Sequence, residues 1–311
     1  MADGARVTSF SESFATASDG TRLYVRQRAS GSLASATSGT VAVLCDGLVC
    51  DGFIYKYLWE ELGLSMPVAH FNYRAHGRSE APRDPDRIDV PSLAGDLDAV
   101  RRHLNDPPVV LIGHSLGTQV ALEAYRQRPE RVRAMVLLCG SFGRVTHTFR
   151  NSDLLASVLP GLVSFATKHP KIARGIWGRF PVKTAVRIAQ LTGEVDPRVR
   201  PEDIEPYFRH VADFDFGVFV RMLAFAGDHS AQDLLPQVDV PVLVVGGEND
   251  TFTPKTLSEI MARSLPHGEL FVVPGGTHVA PLEKPELLSE RLRAFLDTHA
   301  VLSPRPRPED P

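Results

Sequence analysis

The sequence predicts an α/β fold: a mostly parallel, twisted sheet of about eight strands, helices on both faces, and an inserted helical cap. Three observations carry this. Short β-branched and aliphatic runs at 40–45, 67–73, 109–112, 134–139, 240–247 and 269–273 are too short for core helices and suit buried strands. Segments of helical spacing separate them, as in Leu93, Leu97, Val100 and Leu104, and strand–helix alternation implies parallel pairing through crossovers. One long stretch breaks the alternation and is helical throughout.

Residues 9–14 and 21–26 read as two strands around Ala17-Ser18-Asp19-Gly20, where Asp-Gly is a hairpin signal. Residues 29–39 are Ser, Ala, Gly and Thr, a surface loop. The strand at 40–45 ends at Asp46-Gly47-Leu48-Val49, and a helical segment follows at 53–62. The strand at 67–73 runs into Arg74-Ala75-His76-Gly77-Arg78-Ser79, and a helix is expected at 90–104. The strand at 109–112, a helix reaching Arg128-Pro129 and the strand at 134–139 complete the first half.

After Ser141 no strand run appears for about 95 residues, far beyond an ordinary connection. Segments 152–166, 168–178, 181–192, 202–211 and 214–226 have helical spacing and carry Phe142, Phe149, Phe165, Phe180, Phe208, Phe214, Phe216, Phe219 and Phe225 in or beside them. Most of these rings must form the cap's own core, and a few are expected to line an apolar pocket. The sheet resumes at 240–247, followed by a helix at 255–265, a strand at 269–273 and a last helix at 285–298 with Leu287, Leu288, Leu292 and Phe295 on one face. The expected partition is an α/β core of residues 1–140 and 236–300, a cap of 141–235, and a Pro-rich, disordered tail at 301–311.

Composition excludes several function classes. The chain is 43% hydrophobic and 23% charged, ordinary for a soluble globular protein. Its 34 basic and 37 acidic residues are interspersed, with no stripe that marks a nucleic-acid or anionic-membrane surface. Met1 to Arg6 lacks the order of a signal peptide, and no apolar run approaches the roughly 20 residues of a transmembrane helix. Cys45, Cys50 and Cys139, an odd number, are expected as buried free thiols in a reducing compartment. A cytoplasmic enzyme with no nucleic-acid or membrane partner is the expectation.

The chemistry centres on Gly113-His114-Ser115-Leu116-Gly117, which fits G-x-S-x-G between a predicted strand and a predicted helix. A chance match should occur in about one such chain in ten, so the flanking strand and helix supply the specificity. In such a turn the serine Oγ is pushed clear of the sheet, and the helix start directs N–H groups toward a developing oxyanion. A serine hydroxyl needs a base within hydrogen-bond reach, and the base needs an acid to hold its tautomer. Of eleven histidines, His278 follows a strand and Gly275-Gly276, in a loop free to reach the sheet's C-terminal edge; Asp250 directly follows another strand. The order Ser115, Asp250, His278 is that of one class of triads. No metal-ligand cluster, phosphate loop or dinucleotide fingerprint is visible.

With these residues in place, the sequence resembles the α/β-hydrolase-fold enzymes over about residues 8–300, the variable cap excepted. The motifs are Gly113 to Gly117, Gly247-Glu248-Asn249-Asp250-Thr251-Phe252-Thr253-Pro254, and Gly276-Thr277-His278; Asn72 to Ser79 is similar to that family's Asp-x-Arg-Gly-x-Gly-x-Ser turn. The resemblance implies Ser115 as nucleophile, His278 as general base and acid, Asp250 as its orienting partner, and no cofactor. It implies an oxyanion hole from the backbone N–H groups of Leu116 and Leu48.

The chain departs from the pattern at Asp46-Gly47, where the family usually has His-Gly. A carboxylate there is unfavourable unless it points away and is hydrogen-bonded, and some lactone-cleaving members look similar in having Asp-Gly. Asp46, Gly47, His114, Phe142 and Val279 are the expected pocket residues. Epoxide hydrolases and haloalkane dehalogenases of this fold use aspartate where this chain has Ser115, so the expected chemistry is acyl transfer. The expected function is a carboxylesterase or lactonase acting on a small-molecule, fairly apolar acyl substrate. A thioesterase, amidase or acyltransferase would use the same residues, and a catalytically silent binding protein is the reading from another class.

Overall fold

An antiparallel hairpin opens the sheet: β1 (Ser11–Thr16) and β2 (Arg22–Arg28) pair from Ser11↔Gln27 to Thr16↔Arg22. Its loop closes with Gly20 at φ 87° and with Asp19 Oδ1 accepting the Thr21 N–H at 3.1 Å. The computed structural model describes residues 10–29, 39–148, 152–177, 181–299 and 301. Phe149, Phe180 and the tail beyond residue 301 therefore lie outside the described residues.

The chain continues through β3 (Val41–Cys45), α1 (Lys56–Ser65) after a 3-10 turn at Phe53–Tyr55, β4 (Val68–Phe71), α2 (Val90–His103), β5 (Val109–His114), α3 (Leu116–Gln127) and β6 (Val132–Leu138). The helices α4 (Val145–Thr148), α5 (Leu154–Lys168), α6 (Pro170–Trp177), α7 (Val182–Leu191), α8 (Pro201–Asp213) and α9 (Phe216–Asp228) follow. Then come β7 (Val242–Gly247), α10 (Lys255–Ser264), β8 (Gly268–Val273), α11 (Ala280–Glu283) and α12 (Pro285–Thr298). The eight strands run in the order β1-β2-β4-β3-β5-β6-β7-β8; β2 is antiparallel to β1 and β4, and the other pairs are parallel.

The expected strands and helices are all present, with ends moved by a few residues. Two helices escaped the sequence reading, α4 and α11, each four residues long. Four residues make barely one turn, too short to display a 3.6-residue period. The central strands are apolar on both faces because both faces are covered. Val43, Cys45, Val109 and Leu111 enter one cluster with α2 and α3, while Ala42, Leu44, Val110 and Ile112 enter another with α1 and α12.

The segment between β6 and β7 shares those cores. Met222 and Ala226 of α9 join the first cluster; Val186 and Ala189 of α7 and Ile204 of α8 join the second. A third, small cluster of Leu159, Ala166, Ala173 and Val220 is internal to α5, α6 and α9. Trp177 packs on Phe216 and Phe219 with ring centroids 4.9 and 5.2 Å away, so these two phenylalanines fill the helical segment itself.

Register brings the ends of β3, β5 and β6 together, with Cys45 beside Gly113 and His114 beside Leu138. Two glycines permit this packing. A Cβ on Gly113 would run into the Gly117 carbonyl, and a Cβ on Gly117 into the Cys45 carbonyl. Gly117→Ala is therefore expected to destabilise the fold by about 3 kcal/mol or more in urea unfolding, since only backbone could give way. Gly95→Ala, within α2 where nothing beyond the adjoining backbone lies within 4 Å of the added carbon, should stabilise by about 0.5–1 kcal/mol in the same assay.

Candidate active site

Ser115 occupies the single residue between β5 and α3, at φ 54° and ψ −117°. A non-glycine residue rarely adopts such a conformation, and its cost is of order 1–3 kcal/mol. The turn is held over-determined: the Ser115 N–H donates to Leu138 O at 3.0 Å, and its carbonyl accepts the Thr118 N–H at 3.0 Å. Behind it α3 is buried along almost its whole length.

His278 comes from the loop after β8, and its Nε2 lies 3.0 Å from Ser115 Oγ. Its Nδ1 lies 2.9 Å from Oδ2 of Asp250, in the loop after β7. A carboxylate only accepts, so Nδ1 carries the proton and Nε2 is left as acceptor for the serine hydroxyl. The two Asp250 oxygens divide the work. Oδ1 accepts the N–H groups of Phe252 and Thr253 at 2.9 and 2.8 Å, fixing the loop, while Oδ2 takes His278 and the Thr253 hydroxyl at 2.8 Å. Burial by itself would raise the Asp250 carboxyl, but His278 and these donors together hold it below the usual carboxylate range. The acid and base loops are joined directly by the Asn249 N–H donating to Gly276 O at 2.8 Å.

The loop after β3 abuts the serine. A Cβ on Gly47 would lie 3.2 Å from Ser115 Cβ, so only a hydrogen fits comfortably. The Leu48 and Leu116 N–H groups have no acceptor among the described residues. Val49, β-branched, sits at φ 59°, and its N–H points at His76 Nε2 at 3.3 Å. His76 Nδ1 lies 3.1 Å from Arg74 O, which can only accept, so Nδ1 is the protonated nitrogen and Nε2 takes the Val49 N–H. Burial drives the His76 pKa down to about 4, which keeps that acceptor neutral.

Two expected pocket residues take other places. The Asp46 side chain is fully buried and its Oδ2 lies 2.7 Å from His70 Nε2, so the carboxylate faces the sheet interior rather than a substrate. His114 is also buried, with Nε2 donating to the His278 carbonyl at 2.9 Å; it supports the histidine from behind, and burial lowers its pKa to about 4. Phe142 is partly buried and packs against the core cluster that holds Leu116 and Val120 of α3. Gly47 lies at the serine, and Val279 is buried immediately after His278. A residue not anticipated, Phe252, places its ring 5.1 Å from that of His278 and is 40% exposed. Its neighbour Thr253, part of the Gly247–Pro254 motif but given no role by the sequence, holds Asp250 through its hydroxyl and its N–H. The three cysteines are buried and free, and burial pushes each thiol pKa up, away from reactivity. Among the described residues no group of His, Cys, Asp or Glu is arranged to hold a metal ion.

The helical segment grips the loops that carry these groups. Glu283 accepts the Thr277 N–H and hydroxyl, both at 2.7 Å, and also the Asp196 N–H from the α7–α8 link at 2.9 Å. Thr251, beside Asp250, donates to Glu194 of the same link. Asp203 of α8 takes Lys56 Nζ at 2.5 Å and the Tyr57 hydroxyl at 2.7 Å from α1, and Phe214 lies over the His76 ring at 4.6 Å. One carboxylate thus ties the residue before His278 to the helices above it, a link that joins positions 87 residues apart and leaves no local sequence pattern.

Two outcomes are expected. His76 and His114 titrate near pH 4 in the fold and near 6.5 when unfolded, so the unfolded chain binds more protons between those values. Stability should be full above pH 6.5 and fall as pH drops toward 4, by about 3 kcal/mol per histidine. Urea unfolding against pH checks this, and His76→Gln with His114→Gln should flatten the slope; an unchanged slope would place its origin elsewhere. Glu283→Ala should cost about 2–3 kcal/mol and speed amide exchange at Asp196 and Thr277, with Glu283→Gln recovering some of the loss.

Comparison with known proteins agrees with this architecture. The profile of the alpha/beta hydrolase family matches residues 42–291. The uncharacterized hydrolase YugF of Bacillus subtilis is 28% identical over 210 residues, spanning 66% of this chain and 71% of that one. The pimeloyl-[acyl-carrier protein] methyl ester esterase of Neisseria meningitidis is 27% identical, over 82% of this chain and 76% of its own. The structure of Est816, described as an N-acyl homoserine lactone degrading enzyme, superposes with a TM-score of 0.69 at 23% identity, covering 91% of this chain and all of that one. A match across most of the chain, on a sheet with this strand order and a serine at the turn after β5, places the protein in the alpha/beta hydrolase family.

Proposed function

We propose that the chain is a serine hydrolase that cleaves a carboxylic ester or lactone through an acyl-enzyme on Ser115. The observation that carries this reading is the unbroken relay from Ser115 Oγ through both ring nitrogens of His278 to Asp250. In it, Ser115 attacks the substrate carbonyl as its proton passes to His278 Nε2, and Asp250 stabilises the imidazolium. The oxyanion is received by the Leu48 and Leu116 N–H groups, whose place beside the serine and lack of an internal acceptor suit that role. His278 then protonates the leaving alcohol, or the ring oxygen of a lactone, and finally deprotonates the water that releases the acid. Every proton is carried by these residues and water, so the reaction asks for no cofactor. Residues 1–140 and 236–300 are the catalytic core in this reading and 141–235 the cap.

The substrate class is supported from two sides. A methyl ester esterase and a lactone-degrading enzyme stand among the chain's relatives and structural neighbours. The ring of Phe252 beside His278 offers an apolar wall for an acyl chain. Thioesterase, amidase and acyltransferase chemistry differ only in leaving group or acceptor, and a substrate panel separates them.

Exposure of the folded protein to a fluorophosphonate should add one adduct, located on Ser115 by peptide mass, and p-nitrophenyl esters of rising chain length should be turned over. Absence of the adduct on folded protein would bring the silent binding reading forward. Ser115→Ala should abolish turnover with an unchanged melting temperature. Asp250→Asn should lower kcat by roughly 10⁴, because the amide selects the wrong histidine tautomer.

A further inference from the structure

Helix α5 departs from the rule for a surface helix. One side packs inward, with Leu159 and Ala166 buried against Val220 of α9. The other side should be polar, yet Leu154, Val158, Leu162 and Phe165 stand exposed at spacings of four, four and three, a single stripe down its outer face. Lys168 is the only charged residue of its fifteen. Helix α6, packed beside α5, adds exposed Ile172 and Ile176 at a spacing of four, with Lys171 and Arg174 around them and Ala173 buried. Leu154 is 69% exposed and Ile176 66%.

The charge of this stretch is one-sided. Between Asp153 and Glu194 there is no acidic residue, where the chain's own frequency would supply about five, and there are six cations: Lys168, Lys171, Arg174, Arg179, Lys183 and Arg187. The rest of the chain is left with 28 cations against 37 anions. A near-neutral total therefore conceals a basic stretch in an otherwise acidic chain, which sums over the whole sequence do not reveal.

The geometry points to the outer face of α5 and α6 as a docking surface for an anionic lipid membrane. Aliphatic side chains would enter the boundary of the acyl region while the flanking lysines and arginine meet lipid phosphates. No helix among the described residues is long and apolar enough to cross a membrane, so the contact is peripheral. A second copy of the chain is the poorer occupant. A two-fold contact would bring the same cations of both copies together, with no acid in the stretch to answer them. A protein partner is also less well matched, because protein interfaces favour aromatic and Arg anchors, whereas this stripe is Leu, Val and Ile with one Phe. The acidic remainder would be repelled by the same membrane, so docking has one orientation.

The test is sedimentation of the whole protein with phosphatidylcholine vesicles with and without phosphatidylglycerol, at low and high salt. Binding is expected on the phosphatidylglycerol vesicles, weaker by about tenfold or more on phosphatidylcholine alone and in high salt. Lys168→Gln with Lys171→Gln and Arg174→Gln should weaken it by at least about tenfold, as should Leu154→Ser with Leu162→Ser and Ile176→Ser, both with unchanged melting temperature. Wild-type protein left in solution with anionic vesicles at low salt, or either variant binding like wild type, overturns the proposal. A dimer in analytical centrifugation that the serine variant abolishes, without vesicle binding, would assign the face to a second copy and overturn it too.

Discussion

The rest of the site depends on a contact that tolerates no side chain: the start of α3 lies against the ends of β5 and β3. At Gly113 and Gly117 a single methyl group would meet backbone carbonyls, so strand and helix approach to a separation set by hydrogen. That proximity forces the chain to turn in one residue, leaving Ser115 in a left-handed conformation with its hydroxyl at the sheet's edge. It also sets the distance at which the β3 loop arrives, so that Gly47 touches the serine and Leu48 follows at once. Strain at Ser115 and Val49 is sustained because buried hydrogen bonds on each side leave neither residue an alternative.

Around this centre the chain places imidazoles where charge would be costly. His76 and His114 are buried and neutral, one accepting from the β3 loop and one donating to the His278 backbone. Each has its tautomer dictated by a carbonyl, so the direction of the bonds is built in rather than chosen on binding. Asp46 and His70 form a third buried arrangement beneath the same loop, in the position where a carboxylate facing the oxyanion would oppose the proposed chemistry. Turning it toward His70 removes that conflict. In the neighbouring loop Arg74 has a comparable bracing role, its buried guanidinium shared by Asp96, Asp19 and the Arg87 carbonyl.

The helical segment is not a passive cover. It contributes to both faces of the core and, through Glu194 and the Asp196 backbone, touches the loops that carry the proposed acid and base. Its helices α5 and α6 also carry exposed aliphatic side chains with Lys168, Lys171 and Arg174 among them.

The strands and the three residues of the relay were legible in the sequence because each leaves a local trace. Buried parallel strands write continuous apolar runs, the turn at Ser115 needs glycines at fixed offsets, and Asp250 and His278 each lie in the loop that follows a strand. What only the tertiary structure decided are relations between positions remote in the chain: Asp46 facing His70 instead of substrate, His114 supporting His278, and Glu283 tying Thr277 to the Asp196 backbone. A side chain's partner across the fold depends on where the sheet register and helix packing bring it, and no period or spacing records that. The exposed stripe of α5 belongs to the same class. Its periodicity is that of any core helix, and only the packing determines that one of its apolar faces is left uncovered.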